Sequence, residues 1–310
     1  MSDPEYVGRC FAKSCESMDE IPDGAIQTCV TSPPYFGLRD YGVEGQIGLE
    51  ASVGEYVERL VGVFREVRRV LRDDGTLWLN LGDSYASAFS CARRNVVGNG
   101  SPAPEVERPN RLEGGRLKEK DLIGVPWSVA FALRADGWWL RDAIVWHKPN
   151  PMPSSVEDRC TASYEFVFML AKSARYFSDM DAVREDPKPW NEGRMSAPAL
   201  SGSARETNSD GYKQRTVQYE EVKGANRRNV WTIGSEPYAD AHFATFPIEL
   251  PSRCIRIGSR PGDVVLDPFA GSGTTFQAAE AIGRRWTGYE LNPEYHALIA
   301  ERTRQAGLFS

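Results

Sequence analysis

Between residues 53 and 72 the apolar side chains Tyr56, Leu60, Phe64, Val67 and Leu71 recur every three to four positions, and Val57, Val63 and Val70 widen the stripe. This period predicts an amphipathic helix, with Asp73-Asp74-Gly75 as its stop. Thr76 to Leu81 is a short apolar run and predicts a buried strand, as does Ala25 to Val30. Pro126 to Ala135 reads as a helix ended near Gly137, followed by strands over 138–146 and 164–170. The C-terminal stretch has the clearest pattern: a strand over 263–267, a glycine turn, a helix from Thr274 to Ile282, a strand over 285–290, and a helix opened by Asn292-Pro293. Strand, turn, helix and strand in this alternation predict an α/β fold, a doubly wound and mostly parallel sheet.

Two stretches break the alternation. Residues 84–122 are polar, rich in Gly and Pro, and longer than an ordinary connection, which suggests a mobile functional loop or a linker. Residues 186–230 lack periodicity yet carry Trp190, Tyr212, Tyr219 and many cations. The expected organisation is therefore a sheet domain split into 1–185 and 231–310, with 186–230 inserted. At 310 residues, 41% apolar and 26% charged, the chain is long enough for such a core. The six cysteines form no C-x-x-C pair and the three histidines stand far from them, so neither a metal site nor a disulfide framework is expected. No leader-like segment opens the sequence and nowhere do roughly 18 apolar residues run together, which predicts a soluble, cytoplasmic protein without a membrane span.

The glycine turn carries the first candidate chemistry. Asp267-Pro268-Phe269-Ala270-Gly271-Ser272-Gly273-Thr274-Thr275 follows a strand and opens a helix. Gly271 and Gly273 permit a tight turn and close approach of a ligand, and the helix N-terminus offers free N–H groups to an anion. A P-loop would need Gly-Lys-Ser/Thr, and a dinucleotide fingerprint a small residue where Phe276 stands. A nucleoside with an amino-acid tail fits better. Its carboxylate meets the helix N-terminus, Asp267 accepts from its ammonium group, and Glu290, at the end of the next strand, accepts from the ribose hydroxyls. These are the polar ends of S-adenosyl-L-methionine.

The second is Thr31-Ser32-Pro33-Pro34-Tyr35, directly after the strand over 25–30. Consecutive prolines donate nothing and hold rigid carbonyls as acceptors. A serine oxygen beside such a carbonyl pairs two acceptors for one NH₂ group, and the tyrosine ring offers a stacking face. That suits an exocyclic amine on a flat heterocycle, cytosine N4 or adenine N6. Taken alone, such a segment is more often a turn with a packed tyrosine.

Together the two segments resemble the DNA amino-methyltransferases, which methylate cytosine N4 or adenine N6 from S-adenosyl-L-methionine; catalytic segment first and cofactor segment last resembles their β arrangement. Asn80-Leu81-Gly82-Asp83-Ser84-Tyr85, Ile144-Val145-Trp146-His147-Lys148-Pro149-Asn150 and His242 to Leu250 resemble the family as well. The resemblance implies a Rossmann-like methyltransferase fold, with Ser32 and the Pro33 carbonyl binding the amine, Pro34 completing the rigid pair and Tyr35 stacking on an extruded base. It also implies that Asp267, Phe269, Gly271, Gly273, Thr274 and Glu290 hold the cofactor, and that the stretch containing Phe246 and Pro247 covers its methionine end. Pro247 equally suits the first turn of a helix. Asp83 either faces the pocket or caps a turn, while Trp146 and Lys148 are expected to complete a strand end and a surface contact.

Serine before Pro-Pro-Tyr is similar to the cytosine-N4 group, which makes a cytosine-N4 DNA methyltransferase the first expectation and adenine-N6 the second. A catalytically silent DNA-binding subunit and a nicotinamide dehydrogenase are the readings of other classes. The implied partner is double-stranded DNA, with a cognate restriction endonuclease as companion and a monomer or homodimer as assembly. The net charge of −6 does not advertise a nucleic-acid binder, but it is unevenly spread. Residues 186–230 hold eight basic side chains against six acidic ones, and 91–120 hold seven against four. The first segment is the expected target-recognition region, with Arg194, Lys213, Arg215, Arg227 and Arg228 as candidate DNA contacts.

Overall fold

The computed structural model describes residues 3–86, 117–185, 225–234 and 246–306. Helix α1 (Val53–Val70) begins where Ser52 accepts a hydrogen bond from the Glu55 amide at 3.1 Å, and Arg68 and Arg69 occupy its last turn. Its apolar stripe, Tyr56, Leu60, Val63, Phe64, Val67 and Val70, is wholly buried. The helix ends earlier than expected, and β3 (Leu71–Leu81) starts at once rather than at Thr76. Leu71 pairs with Ile26 of β2 (Ile26–Thr31), and the next paired residues are Thr76 and Thr28, so Asp73-Asp74-Gly75 is extra chain within a strand. Carbonyls of this bulge are satisfied from outside the ladder: Asp74 accepts from the Phe177 amide, Gly75 from Lys172 and Asp73 from the Ser173 hydroxyl.

The remaining described elements are β1 (Arg9–Phe11), α2 (Val125–Ala135), β4 (Trp139–His147), β5 (Tyr164–Ala171), β6 (Val230–Thr232), α3 (Glu249–Gly258), β7 (Val264–Asp267), α4 (Thr274–Ala281), β8 (Arg285–Tyr289) and α5 (Pro293–Ala306). The eight strands form one sheet in the order β1-β8-β7-β2-β3-β5-β4-β6, in which only β5 runs against its neighbours. This is the expected doubly wound α/β sheet. Cys29, Leu77, Leu79 and Leu266 join α1 and α2 in one core, whereas Thr28, Thr76 and Trp78 approach Gly258 of α3 on the other face. A Cβ on Gly258 would lie 2.6–2.9 Å from those three side chains, so only glycine lets α3 seat this closely.

From β2 the chain winds outward through α1 to β3; from β7 it winds the other way through α4 to β8. The reversal falls between the paired strands β2 and β7. Their carboxyl ends open side by side into the crevice where doubly wound sheets bind ligands.

The chain divides into two compact units, Met1–Asp179 with Arg228–Ser310, and Met180–Arg227. In the second unit the described residues form a short 3₁₀ turn, Asp181–Val183, and an antiparallel bridge in which Glu185 and Ala225 exchange backbone hydrogen bonds of 3.0 and 3.1 Å. Among the described residues no helix is long and apolar enough to cross a membrane.

Candidate active site

Strand β2 delivers Ser32-Pro33-Pro34-Tyr35 to the crevice, and three contacts set the shape of the segment. The Pro34 carbonyl accepts from the Tyr56 hydroxyl of α1 at 2.9 Å. Among the described residues the Pro33 carbonyl has no donor. Beneath them runs the loop to α1, whose Gly45 and Gln46 carbonyls and Glu50 carboxylate are gathered by the Arg59 guanidinium at 2.6, 2.9 and 3.2 Å. The Tyr35 ring lies against Gly82, where an added Cβ would come within 2.6 Å of Cε2.

The Tyr35 hydroxyl is held in a network of polar side chains. It donates to Glu165 Oε2 at 2.7 Å, lies 3.2 Å from Asn80 Oδ1, and accepts from Ser32 Oγ at 3.4 Å. The Asn80 amide donates to Glu165 Oε2 and to the Phe166 carbonyl, each at 3.1 Å, and Lys148 Nζ pairs with Glu165 Oε1. Burial, and then the charge of Glu165, push the Tyr35 phenol well above its ordinary range.

On the β7 side, Asp267 is buried and accepts from Thr31 Oγ1 and Thr275 Oγ1, each at 2.6 Å, and from the Phe269 amide at 3.0 Å. Its carboxylate thereby ties β2, β7 and α4 together, and one of about four acceptor positions remains. Burial raises its pKa to about 6, against the lowering by those three donors. Glu290 accepts from the Gly271 and Asn292 amides, each at 2.7 Å, and burial raises it to about 7. Gly271 and Gly273 have φ of +52° and +84°, a backbone that favours glycine, and Gly273 caps α4. Thr274 is buried, its hydroxyl accepting from Arg302 at 2.7 Å.

One cleft is lined by Ser32 to Tyr35 and Asp267 to Ser272, with Thr274, Glu290 and Phe246. The two segments, remote in sequence, thus share a cavity. Pro247 is buried and its carbonyl accepts from the Leu250 amide, which places it in the turn that leads into α3. Asp83 is a cap: its carboxylate accepts from the Gly124 and Val125 amides at 3.1 Å. Lys148 departs from expectation, because with Glu165 it lines the cleft instead of making a surface contact. Trp146 is buried, its indole N–H donating to the Ile233 carbonyl.

Sequence reasoning gave no role to Glu165, although a lone carboxylate in the apolar strand Tyr164 to Leu170 was a signal. Of the candidate DNA contacts, Arg227 donates to the Val183 carbonyl at 2.7 Å and the Arg228 carbonyl accepts from Trp231. Arg194, Lys213 and Arg215 lie outside the described residues, as do His242 to Thr245 and most of 84–122.

The family model of the N6/N4 DNA methylases matches residues 26–301. The chain is 48% identical over 282 residues to the Type II methyltransferase M.Cfr9I of Citrobacter freundii, covering 91% of this chain and 82% of that one. It is 46% identical over 281 residues to M.SmaI of Serratia marcescens, covering 90% and 85%. A solved Thermus thermophilus protein described as a DNA modification methylase, complexed with S-adenosyl-L-methionine, is similar at TM-score 0.59 and 25% identity over 96% of this chain and 93% of that one. The cytosine-N4-specific PvuII DNA methyltransferase shares the fold at TM-score 0.60 and 21% identity, over 92% and 81%.

Proposed function

The chain belongs to the N6/N4 DNA methylase family, and on that premise we propose that it is a Type II DNA methyltransferase that methylates cytosine N4 in an extruded nucleotide. The observation that carries the reading is the paired acceptor, Ser32 Oγ and the Pro33 carbonyl, in the cleft that Asp267, Gly271 and Glu290 also line.

S-adenosyl-L-methionine suits the residues on the β7 side. Ser272 Oγ is buried, lines the cleft and has no partner among the described residues; it awaits a ligand group. Beside it are the N-terminus of α4, with amides for a carboxylate, and Glu290 for a diol. When bound, the cofactor supplies a sulfonium methyl group. Asp267, Phe269, Gly271, Gly273, Thr274 and Glu290 are proposed to hold it, with Phe246 and Pro247 beside its methionine end.

The chain's own task is to prepare the amine. The lone pair of a cytosine amine is delocalised into the ring. Ser32 and the Pro33 carbonyl, each accepting one N–H, turn the nitrogen so that the lone pair points out of the ring plane, a gain from orientation and preorganised dipoles. Extrusion of the base costs a few kcal/mol, of which Tyr35 stacking returns about 1–3 kcal/mol. Serine in place of a carboxylate or carboxamide before Pro-Pro-Tyr favours cytosine over adenine. Arg194, Lys213, Arg215, Arg227 and Arg228 are proposed to meet the DNA backbone, and a restriction endonuclease is the proposed companion in the cytoplasm.

Incubation of the protein with mixed-sequence DNA and methyl-labelled cofactor, followed by nucleoside mass spectrometry, tests the reading. N4-methylcytosine is expected; N6-methyladenine would move the assignment to adenine, and the absence of both products would refute it. Ser32→Ala should slow methylation about 100-fold while cofactor Kd stays within about twofold.

A further inference from the structure

Resting on that reading, we propose that Glu165 works through the Tyr35 hydroxyl to make Ser32 Oγ a stronger acceptor for the target amine and to take up the proton that the amine releases. Tyr35 is then a polar relay as well as a stacking surface. Three links carry the inference. Ser32 Oγ donates to the Tyr35 oxygen, so its lone pairs remain for the amine N–H. The Tyr35 hydroxyl in turn donates to Glu165 Oε2, at 2.7 Å. Glu165 has its other oxygen on Lys148 Nζ and is steadied by Asn80, so the carboxylate cannot swing away.

As the amine gains a fourth substituent its nitrogen becomes positive and its N–H groups more acidic. A chain of hydrogen bonds that all point away from the amine and end on an anion polarises cooperatively in the direction that helps. Inside a partly buried cleft such an anion acts more strongly than it would in water. The proton balance closes within the chain. One proton passes from the amine to Ser32 Oγ, the serine hydrogen passes to the Tyr35 oxygen, and the tyrosine hydrogen passes to Glu165 Oε2. Both hydroxyls end neutral and the carboxylate ends protonated. The raised pKa of Tyr35 agrees with a phenol that relays a proton without resting as a phenolate. Glu165 touches neither base nor cofactor in this scheme and is a positioning residue; Lys148 holds it in place.

The test uses the full chain with a DNA duplex that the wild type methylates, and compares Tyr35→Phe, Glu165→Gln and the double variant in single-turnover methyl transfer. Tyr35→Phe keeps the stacking ring and removes the relay; Glu165→Gln keeps the size and removes the charge. Each single variant is expected to slow transfer at least tenfold. The double variant is expected to be no slower than the slower single one, because the two groups act in series. Two further readouts are expected to stay within about twofold of wild type: cofactor Kd by calorimetry, and extrusion of the target nucleotide reported by 2-aminopurine fluorescence in its place. Tyr35→Phe at the wild-type rate would overturn the relay and leave Tyr35 as a stacking ring only, and it remains decisive if Glu165→Gln fails to fold. Multiplicative losses in the double variant would also overturn it, as would losses confined to cofactor Kd. A wild type that methylates no duplex would instead refute the proposed function, so the two failures are distinguishable.

Discussion

At the scale of single residues the most informative groups are the two buried carboxyls at the proposed cofactor end of the cleft. Asp267 is raised from 3.8 to about 6 and Glu290 from 4.5 to about 7, in both cases chiefly by burial. Between the unfolded and folded values the folded chain binds more protons than the unfolded one, so stability falls as pH rises through that interval. The melting temperature without cofactor is therefore expected to decline from about pH 4 to about pH 7 and then to level, and Glu290→Gln should make the decline shallower. A melting temperature that rose across this window would contradict the burial argument. With Glu290 as the proposed partner of the ribose hydroxyls, which donate best to an ionised carboxylate, cofactor affinity is expected to increase over the same range, as calorimetry at several pH values would measure. Both carboxylates were legible in the sequence as candidate ligand contacts. The internal donors of Asp267 were not, because Thr31 lies on a different strand at the other end of the chain.

Among the elements, α2 shows how a helix whose N-cap residue has no side chain still acquires a capping acceptor. Gly124 stands at its N-cap with φ of +78° and offers no side chain. The missing acceptor comes from Asp83, just past the end of β3, whose carboxylate takes the Gly124 and Val125 amides. Free N–H groups at a helix start favour such an anion, and its loss costs about 0.5–2 kcal/mol. Asp83→Ala is accordingly expected to lower unfolding free energy by about 1 kcal/mol in urea titrations while cofactor Kd is unchanged, and Asp83→Asn to retain most of the stability. A loss of cofactor binding in Asp83→Ala would instead return this residue to the ligand pocket. The strand β3 gives a second lesson. Asp73-Asp74-Gly75 reads as a helix stop followed by a turn, yet pairing of Leu71 with Ile26 starts the strand before it. Turn residues within a strand and turn residues between elements have the same local chemistry; the partner strand distinguishes them.

For the molecule as a whole, the net charge of −6 sits beside a proposed DNA substrate, and the basic side chains of 186–230 and 91–120 are its proposed contacts. Binding to duplex is then expected to be salt-dependent with a modest slope, because few phosphates are neutralised. Titration of Kd between 50 and 200 mM salt, chosen as roughly the range over which extensive phosphate binders lose about 10³–10⁵ in affinity, should show a far smaller loss here. Neutralising Arg227 or Arg228 should reduce the slope further; a slope unchanged by either would remove them from the interface. The sequence by itself determined the α/β class, the two motifs and most of the helices and strands, because each of these rests on residues a few positions apart; the three-residue strands β1 and β6 and the start of β3 were not legible, because they are defined by their partner strands. Only the tertiary structure decided that Thr31 binds Asp267, that Asp83 caps α2, and that Glu165 and Lys148 close on Tyr35. Those partners are brought together by the order of strands in the sheet, and hydrophobic periodicity, which reports which face is buried, carries no information about which strand lies alongside.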